Sequence, residues 1–159
     1  TDMNLSGDKI KAYKHFANKI WNASRFTLSA VEGVDLREKP EMKEKDKAAL
    51  AELSALAEEV TDDLENFRLH LAGEKLYHYF WHTFADRIIE EAKPRIAGED
   101  LEDKRSAQYA LFEILKTCLK LLHPFMPFIT EEIWGMLPRE GGSADGSDNL
   151  LIVEKWPIQ

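Results

Sequence analysis

Apolar residues recur at steps of three and four over most of the chain, the spacing of helices with one face turned inward. Ile10, Tyr13, Ala17, Ile20, Ser24 and Leu28 form the first such stripe. It predicts a helix that starts after Ser6 as N-cap, carries Asp8 favourably in its first turn and fades near Ala30. Ser24 is the polar member of the stripe and is small enough for close helix contact. Residues 31–35 read as a connector, and a second helix is expected after Pro40. Its apolar positions Leu50, Leu53, Ala57, Val60, Leu64, Phe67 and Leu71 make a heptad-like seam flanked by acids on a solvated face.

Gly73 marks an interruption. The aromatic-rich pattern Tyr77, Tyr79, Phe80, Trp81 and Phe84, followed by Ile88 and Ile89, predicts a third helix over about 74–92, stopped by Pro94 and Gly98. A fourth, over about 101–122, carries Ala107, Leu111, Leu115, Cys118 and Leu122 on its inner stripe. Residues 122–134 then read Leu-His-Pro-Phe-Met-Pro-Phe-Ile-Thr-Glu-Glu-Ile-Trp. Pro124 is expected to push His123 out of helical geometry, and Pro127 suits the first turn of a fifth helix over 127–137. Phe125, Met126 and Phe128 make the corner hydrophobic, which argues that it is buried between helices. Residues 141–147, Gly-Gly-Ser-Ala-Asp-Gly-Ser, have linker composition. The run Leu150-Leu151-Ile152-Val153 beyond them is too short to build a sheet alone. The expected fold is therefore all-α, a bundle of about five helices over 1–138, with a linker and a non-helical tail over 139–159 that packs on or near the bundle.

A chain of 159 residues fits one domain with its own core. With no apolar run of about 18 residues and no signal-peptide pattern, it reads as a cytoplasmic protein without a membrane partner. The single cysteine, Cys118, excludes a disulfide framework and reads as a small buried hydrophobe. The net charge of −8 argues against nucleic acid on average, but it is unevenly spread. Residues 1–25 hold five bases against two acids, and residues 38–74 hold eleven acids against five bases. A basic first helix on an acidic body leaves room for one local RNA-facing surface.

Gly-rich phosphate loops, His-Glu-x-x-His, paired cysteines and a nucleophile elbow are absent, so no catalytic residue and no metal ligand set is assigned. Glu74, His78, His82 and Asp86 recur at i+4, but such a row drifts around a helix. A single helix rarely closes a metal site, and the row reads as a solvated or partner-facing stripe. In the first helix, the run Asn18-Lys19-Ile20-Trp21-Asn22-Ala23-Ser24-Arg25-Phe26 places an aromatic plane, an amide and a guanidinium within about one turn. Unstacked RNA bases need that combination. Two bland readings stand beside it: Trp21 as core, and Arg25 paired with an acid of the second helix.

The run from Asn18 to Phe26, then Tyr79-Phe80-Trp81, Ala92-Lys93-Pro94-Arg95, the proline corner and Trp156-Pro157 occur in that order. Together they resemble the anticodon-binding region of the valyl-tRNA synthetases, class I aminoacyl-tRNA synthetases, over nearly the whole chain. The resemblance implies a helical bundle that grips the anticodon arm of valine tRNA beside a catalytic domain of the same polypeptide. It also implies a monomeric, cytoplasmic parent enzyme, a valine–tRNA ligase, that uses ATP and magnesium and edits mischarged threonine in a separate domain. The family's ATP-handling signatures, of the His-Ile-Gly-His and Lys-Met-Ser-Lys-Ser types, are not found in these residues, so the fragment is expected not to aminoacylate and to need no cofactor. The family's C-terminal coiled-coil arm is expected beyond Gln159. Carried over residue by residue, Asn22 and Arg25 match RNA-contact positions, with Lys19 and Trp21 as weaker members. Phe125, Phe128 and Trp134 match scaffold. Asp86-Arg87-Ile88-Ile89 departs from the aromatic pair usual after that aspartate, which removes Arg87 from the carried-over contacts. The alternative is a helical protein-interaction or dimerisation module using the acidic seam of residues 50–71.

Overall fold

One helix is buried over most of its circumference, and the other elements are arranged about it. The computed structural model describes residues 7–138 and 150–158. The expected N-cap Ser6 and the linker 141–147 lie outside these residues. Helix α1 is Gly7–Ala30 and α2 is Glu44–Glu65. Helix α3 is continuous through three segments, Leu69–His78, a π-helical stretch Tyr79–Ile89, and Glu90–Ala97. Helix α4 is Leu101–Leu122, α5 is Pro127–Met136, and Leu151–Val153 form one 3₁₀ turn.

Twelve of the 22 residues of α4 are buried, including the whole predicted stripe from Ala107 to Leu122, so α4 is the axis of the bundle. Its start is set by Asp100, whose side chain accepts hydrogen bonds from the backbone N–H groups of Glu102 and Asp103. α1, α2, α3 and α5 all pack against it. α1 runs beside α3 in the same direction, since Phe16 meets Tyr77, Lys19 meets Asp86 and Lys93 lies over Phe26. The Gln108 amide ties the far end of α1 to α4 by donating to the Ala30 carbonyl at 2.7 Å. Cys118 is buried in α4, and burial pushes its thiol up. The 150–158 segment lies against the bundle, with the backbone N–H of Leu151 donating to Glu131 and the Trp156 indole donating to Thr61.

Several boundaries differ from the periodic reading. The seam of α2 does not continue to Leu71, because the helix stops at Glu65 in a Schellman turn. The N–H of Arg68 bonds the carbonyl of Asp63, and that of Phe67 bonds the carbonyl of Leu64. Phe67 occupies the left-handed position of that turn, at φ 59°, with its ring 90% exposed. An aromatic there lacks glycine's freedom, at a cost of about 1–2 kcal/mol. Phe67→Gly is therefore expected to raise stability by about 1 kcal/mol in urea unfolding, less than the full strain because glycine also gains unfolded-state entropy. A lower midpoint would show that the ring has packing this turn needs.

Gly73 does not interrupt; it sits inside α3, where a Cβ would lie 3.5 Å from the Phe125 ring. Pro94 does not stop the helix either. α3 runs three residues beyond it to Ala97 and ends at Gly98, because Arg95 is pinned by Asp46 and Asp103. Asp46 also accepts from the Ser106 hydroxyl, so α2, α3 and α4 meet at one buried charge.

The proline corner is only partly as expected. His123 stays helical before Pro124, held by its N–H to the Leu119 carbonyl and by a 2.9 Å contact of Nδ1 with the Thr130 hydroxyl. Pro127 does open α5, and Met126 and Trp134 are buried. Phe128, expected inside, is 90% exposed: in the first turn of α5 it falls opposite the face carrying Thr130, Ile133 and Trp134.

Candidate nucleic-acid interface

The site begins with the two faces of α1. Phe16, Ile20, Ala23, Ser24 and Thr27 turn inward. The hydroxyls of Ser24 and Thr27 are buried but satisfied, donating to the carbonyls of Ile20 and Ala23 at 2.7 and 2.9 Å. Small satisfied side chains there let α1 lie close on its neighbours. Ile10 and Tyr13, expected on that stripe, are instead more than half exposed, and Phe16 takes the place they were given. The opposite face presents Lys11, Lys14, Asn18, Asn22, Arg25 and Ser29, all exposed and spaced by threes and fours. α1 carries five bases against one acid, so this row is the basic edge of an acidic body.

The four residues singled out in this helix fare differently. Asn22 and Arg25 are exposed, one turn apart, and neither side chain forms a hydrogen bond or ion pair among the described residues. The pairing of Arg25 with an acid of α2 is not made. Lys19 is committed: its ammonium donates to Asp86 at 2.7 Å and sits 5.2 Å from the centre of the Trp81 ring. That hydrogen bond holds the Asp86 carboxyl below the usual carboxylate range. Trp21 is half-buried and packs against the core. Asn22 and Arg25 thus offer free polar groups, Lys19 a charge with a fixed position, and Trp21 mainly support.

Of the row Glu74, His78, His82 and Asp86, the last is taken by Lys19 and lies 3.6 Å from His82, while Glu74 pairs with His70. No group of three or more His, Cys, Asp or Glu side chains among the described residues is placed to hold a metal ion. Arg87 turns away to Glu52 at 2.8 Å. Lys93 donates to Glu90 and lies 5.5 Å from the Phe26 ring, next to Arg25 in α1. Arg95, from the Lys-Pro-Arg run, is structural. The contact that the sequence reading missed is the ring cluster of Tyr77 and Trp81 against Phe16, with centroids 4.8 and 6.4 Å from it. The i,i+4 spacing of Tyr77 and Trp81 was its one visible trace. No helix among the described residues is long and apolar enough to cross a membrane.

Residues 46–159 match the family described as the anticodon-binding domain of tRNA ligase. A valine–tRNA ligase of Thermotoga maritima is 42% identical over 158 residues, covering 98% of this chain. That of Oceanobacillus iheyensis is 39% identical over 159 residues, again covering 98%. The Aquifex aeolicus protein of the same name is 40% identical over 157 residues, covering 90% of this chain and 14% of its own. The chain spans 17% of the length of the first two relatives. The family match begins in α2, whereas the similarity to these relatives also takes in α1 and its exposed row.

Proposed function

Because the chain belongs to the anticodon-binding domain family of tRNA ligases, we propose that it holds the anticodon arm of valine tRNA for a valine–tRNA ligase of which it is a part. The observation that carries this reading is the exposed row of α1, in which Asn22 and Arg25 have no partner among the described residues. An amide and a guanidinium left open on a basic helix are groups that bind base edges and phosphates. In this reading, joining valine to the tRNA with ATP and magnesium takes place on another part of the same polypeptide. This chain contributes recognition, as one domain of a monomeric cytoplasmic enzyme.

The alternative of a dimerisation module loses its main support. Leu53, Ala57 and Val60 of the acidic seam are buried inside this same chain, where α2 packs on α3 and α4. The test is a titration of the chain with a stem-loop RNA carrying a valine anticodon, and with a non-cognate stem-loop, at several salt concentrations. Affinity should fall with salt. Arg25→Ala should weaken binding about tenfold, in the lower half of the range for losing one good polar contact to nucleic acid. Its melting temperature should stay at the wild-type value, because Arg25 is exposed. Equal affinity of the variant and the wild type would take Arg25 out of the site.

A further inference from the structure

The face of α3 that looks toward α1 carries an unbroken surface of rings. Tyr77 and Trp81 lie with centroids 5.6 Å apart, His78 and His82 at 4.9 Å, and Trp81 and His82 at 6.4 Å. The rows 77–81 and 78–82 sit side by side because they start one residue apart and step by four. From Tyr79 onward the helix has π geometry. Its i→i+5 bonding puts more residues in each turn, so residues four apart drift less around the axis than in an α-helix. Phe16 backs this surface from α1, lying near-parallel to Trp81 at an interplanar angle of 16°. Tyr77, His78 and His82 are exposed and Trp81 is half-buried. A soluble bundle has no need of four neighbouring rings at its surface, two of them histidines too polar to serve as core.

The geometry points to a stacking platform for unpaired nucleobases, formed by Tyr77 and Trp81 and edged by His78 and His82. Aromatic faces accept any base, and a cation beside them steers the sugar–phosphate chain. Lys19 is that cation, fixed over Trp81 and tied to Asp86. The platform meets α1 through Phe16 and Lys19, and Lys19 lies on the flank between the inward face of α1 and its open polar row. Phe16 and Arg25 are nine residues, about 14 Å, apart along the helix axis and on opposite faces of α1, so a strand of a few nucleotides passes around that flank to meet both.

The charges around it orient the strand. Beyond Tyr77 and His78 opens a groove of about 1100 Å³ between α2 and α3, whose lining includes Glu52, Glu59 and Glu74. The charges on that side are already paired, Glu52 with Arg87, Glu74 with His70 and Lys75 with Asp63, while Lys14 and Arg25 of α1 are open to phosphate. The backbone of a bound loop therefore lies along α1, with its bases turned onto the rings. Charge separates this occupant from a protein one: the rings adjoin the basic edge of the molecule, where a polyanion is drawn first.

This inference rests on the anticodon-arm reading and adds which residues take the bases. Its test uses the same stem-loop RNA, intact and with single loop nucleotides made abasic, against wild type, Tyr77→Leu, Trp81→Leu and Trp81→Phe. Each Leu variant should weaken binding of the intact RNA about fivefold or more, the lower end of base–aromatic stacking. The slope of affinity against salt should stay unchanged, since no phosphate contact is lost, whereas Arg25→Ala should reduce that slope by about one. Trp81→Phe should keep most of the affinity. At least one abasic RNA should bind wild type and the Leu variants alike, because the base that stacks is gone. Wild-type affinity in both Leu variants, or equal weakening against intact and every abasic RNA, would overturn the platform while leaving the α1 site standing. A wild-type chain that fails to bind the stem-loop removes the anticodon-arm reading and the platform together.

Discussion

Arg95→Ala should cost about 3–5 kcal/mol of stability, the range for removing one partner of a buried ion pair. Arg95 gives Asp46 two hydrogen bonds, at 2.8 and 2.6 Å, and bonds Asp103 at 2.8 Å. Asp46 is only 5% exposed. Without the guanidinium it keeps the hydroxyl of Ser106 and must hold a charge with no counter-ion in a dry place. Single domains are stable by about 5–15 kcal/mol in total, so this one change removes a large share.

Arg95→Lys should recover little of it, because an ammonium cannot make the paired fork that spans Asp46 and Asp103. The double variant Arg95→Ala/Asp46→Ala should be more stable than the sum of the single losses, as expected for groups that face each other. Urea unfolding of the wild type, Arg95→Ala, Arg95→Lys, Asp46→Ala and the double variant measures all of this. A loss below about 1 kcal/mol would place the network with ordinary surface salt bridges. The network also has a pH signature. The Arg95 hydrogen bond holds the Asp103 carboxyl below its usual range. Its contribution is therefore complete above the unfolded value of about 4 and is lost as pH falls through the lower folded value. The stability of Arg95→Ala should fall less steeply than that of the wild type in that acid window.

Phe84→Ala should cost a similar amount, about 3–5 kcal/mol, by a different route. Phe84 is fully buried in the π-helical stretch of α3, its ring edge-on to Phe80 at 5.3 Å. Truncation leaves a cavity that the neighbouring helices cannot close, since α3 is anchored on both sides by Lys19–Asp86 and Arg87–Glu52. Phe84→Leu should lose less than the alanine variant, because most of the volume is kept. Equal losses for Leu and Ala in chemical unfolding would mean that ring shape, not volume, decides the fit.

How far the molecule can be read from its residues depends on the range of each interaction. α4 was legible because a 3.6-residue period from Ala107 to Leu122 is a local signal, and each of those positions is buried. Pro127 at the start of α5 was legible for the same reason. The end of α2 was not: Phe67 continues the apolar seam, and only the carbonyl-to-amide pattern of the turn shows that the chain has left the helix. Pro94 reads as a stop until Asp46, 49 residues from Arg95 in sequence, is brought beneath it. The π geometry of residues 79–89 has no residue signature of its own. In the candidate interface, the exposure of Asn22 and Arg25 follows from their being out of phase with Ile20 and Ala23. The commitment of Lys19 to Asp86 and the backing of Trp81 by Phe16 needed α1 and α3 laid side by side.

Cys118 gives the chain a clock. It is the single thiol of the sequence, shut inside α4 and kept from forming the reactive thiolate by its surroundings. A thiol reagent cannot touch the folded molecule there, so modification waits on an opening of the core, and at reagent concentrations that outpace reclosing each modification counts one opening. The rate of that reaction times the breathing of the bundle directly, and the slowing produced by a bound RNA measures how firmly a ligand on α1 and α3 holds the central helix shut.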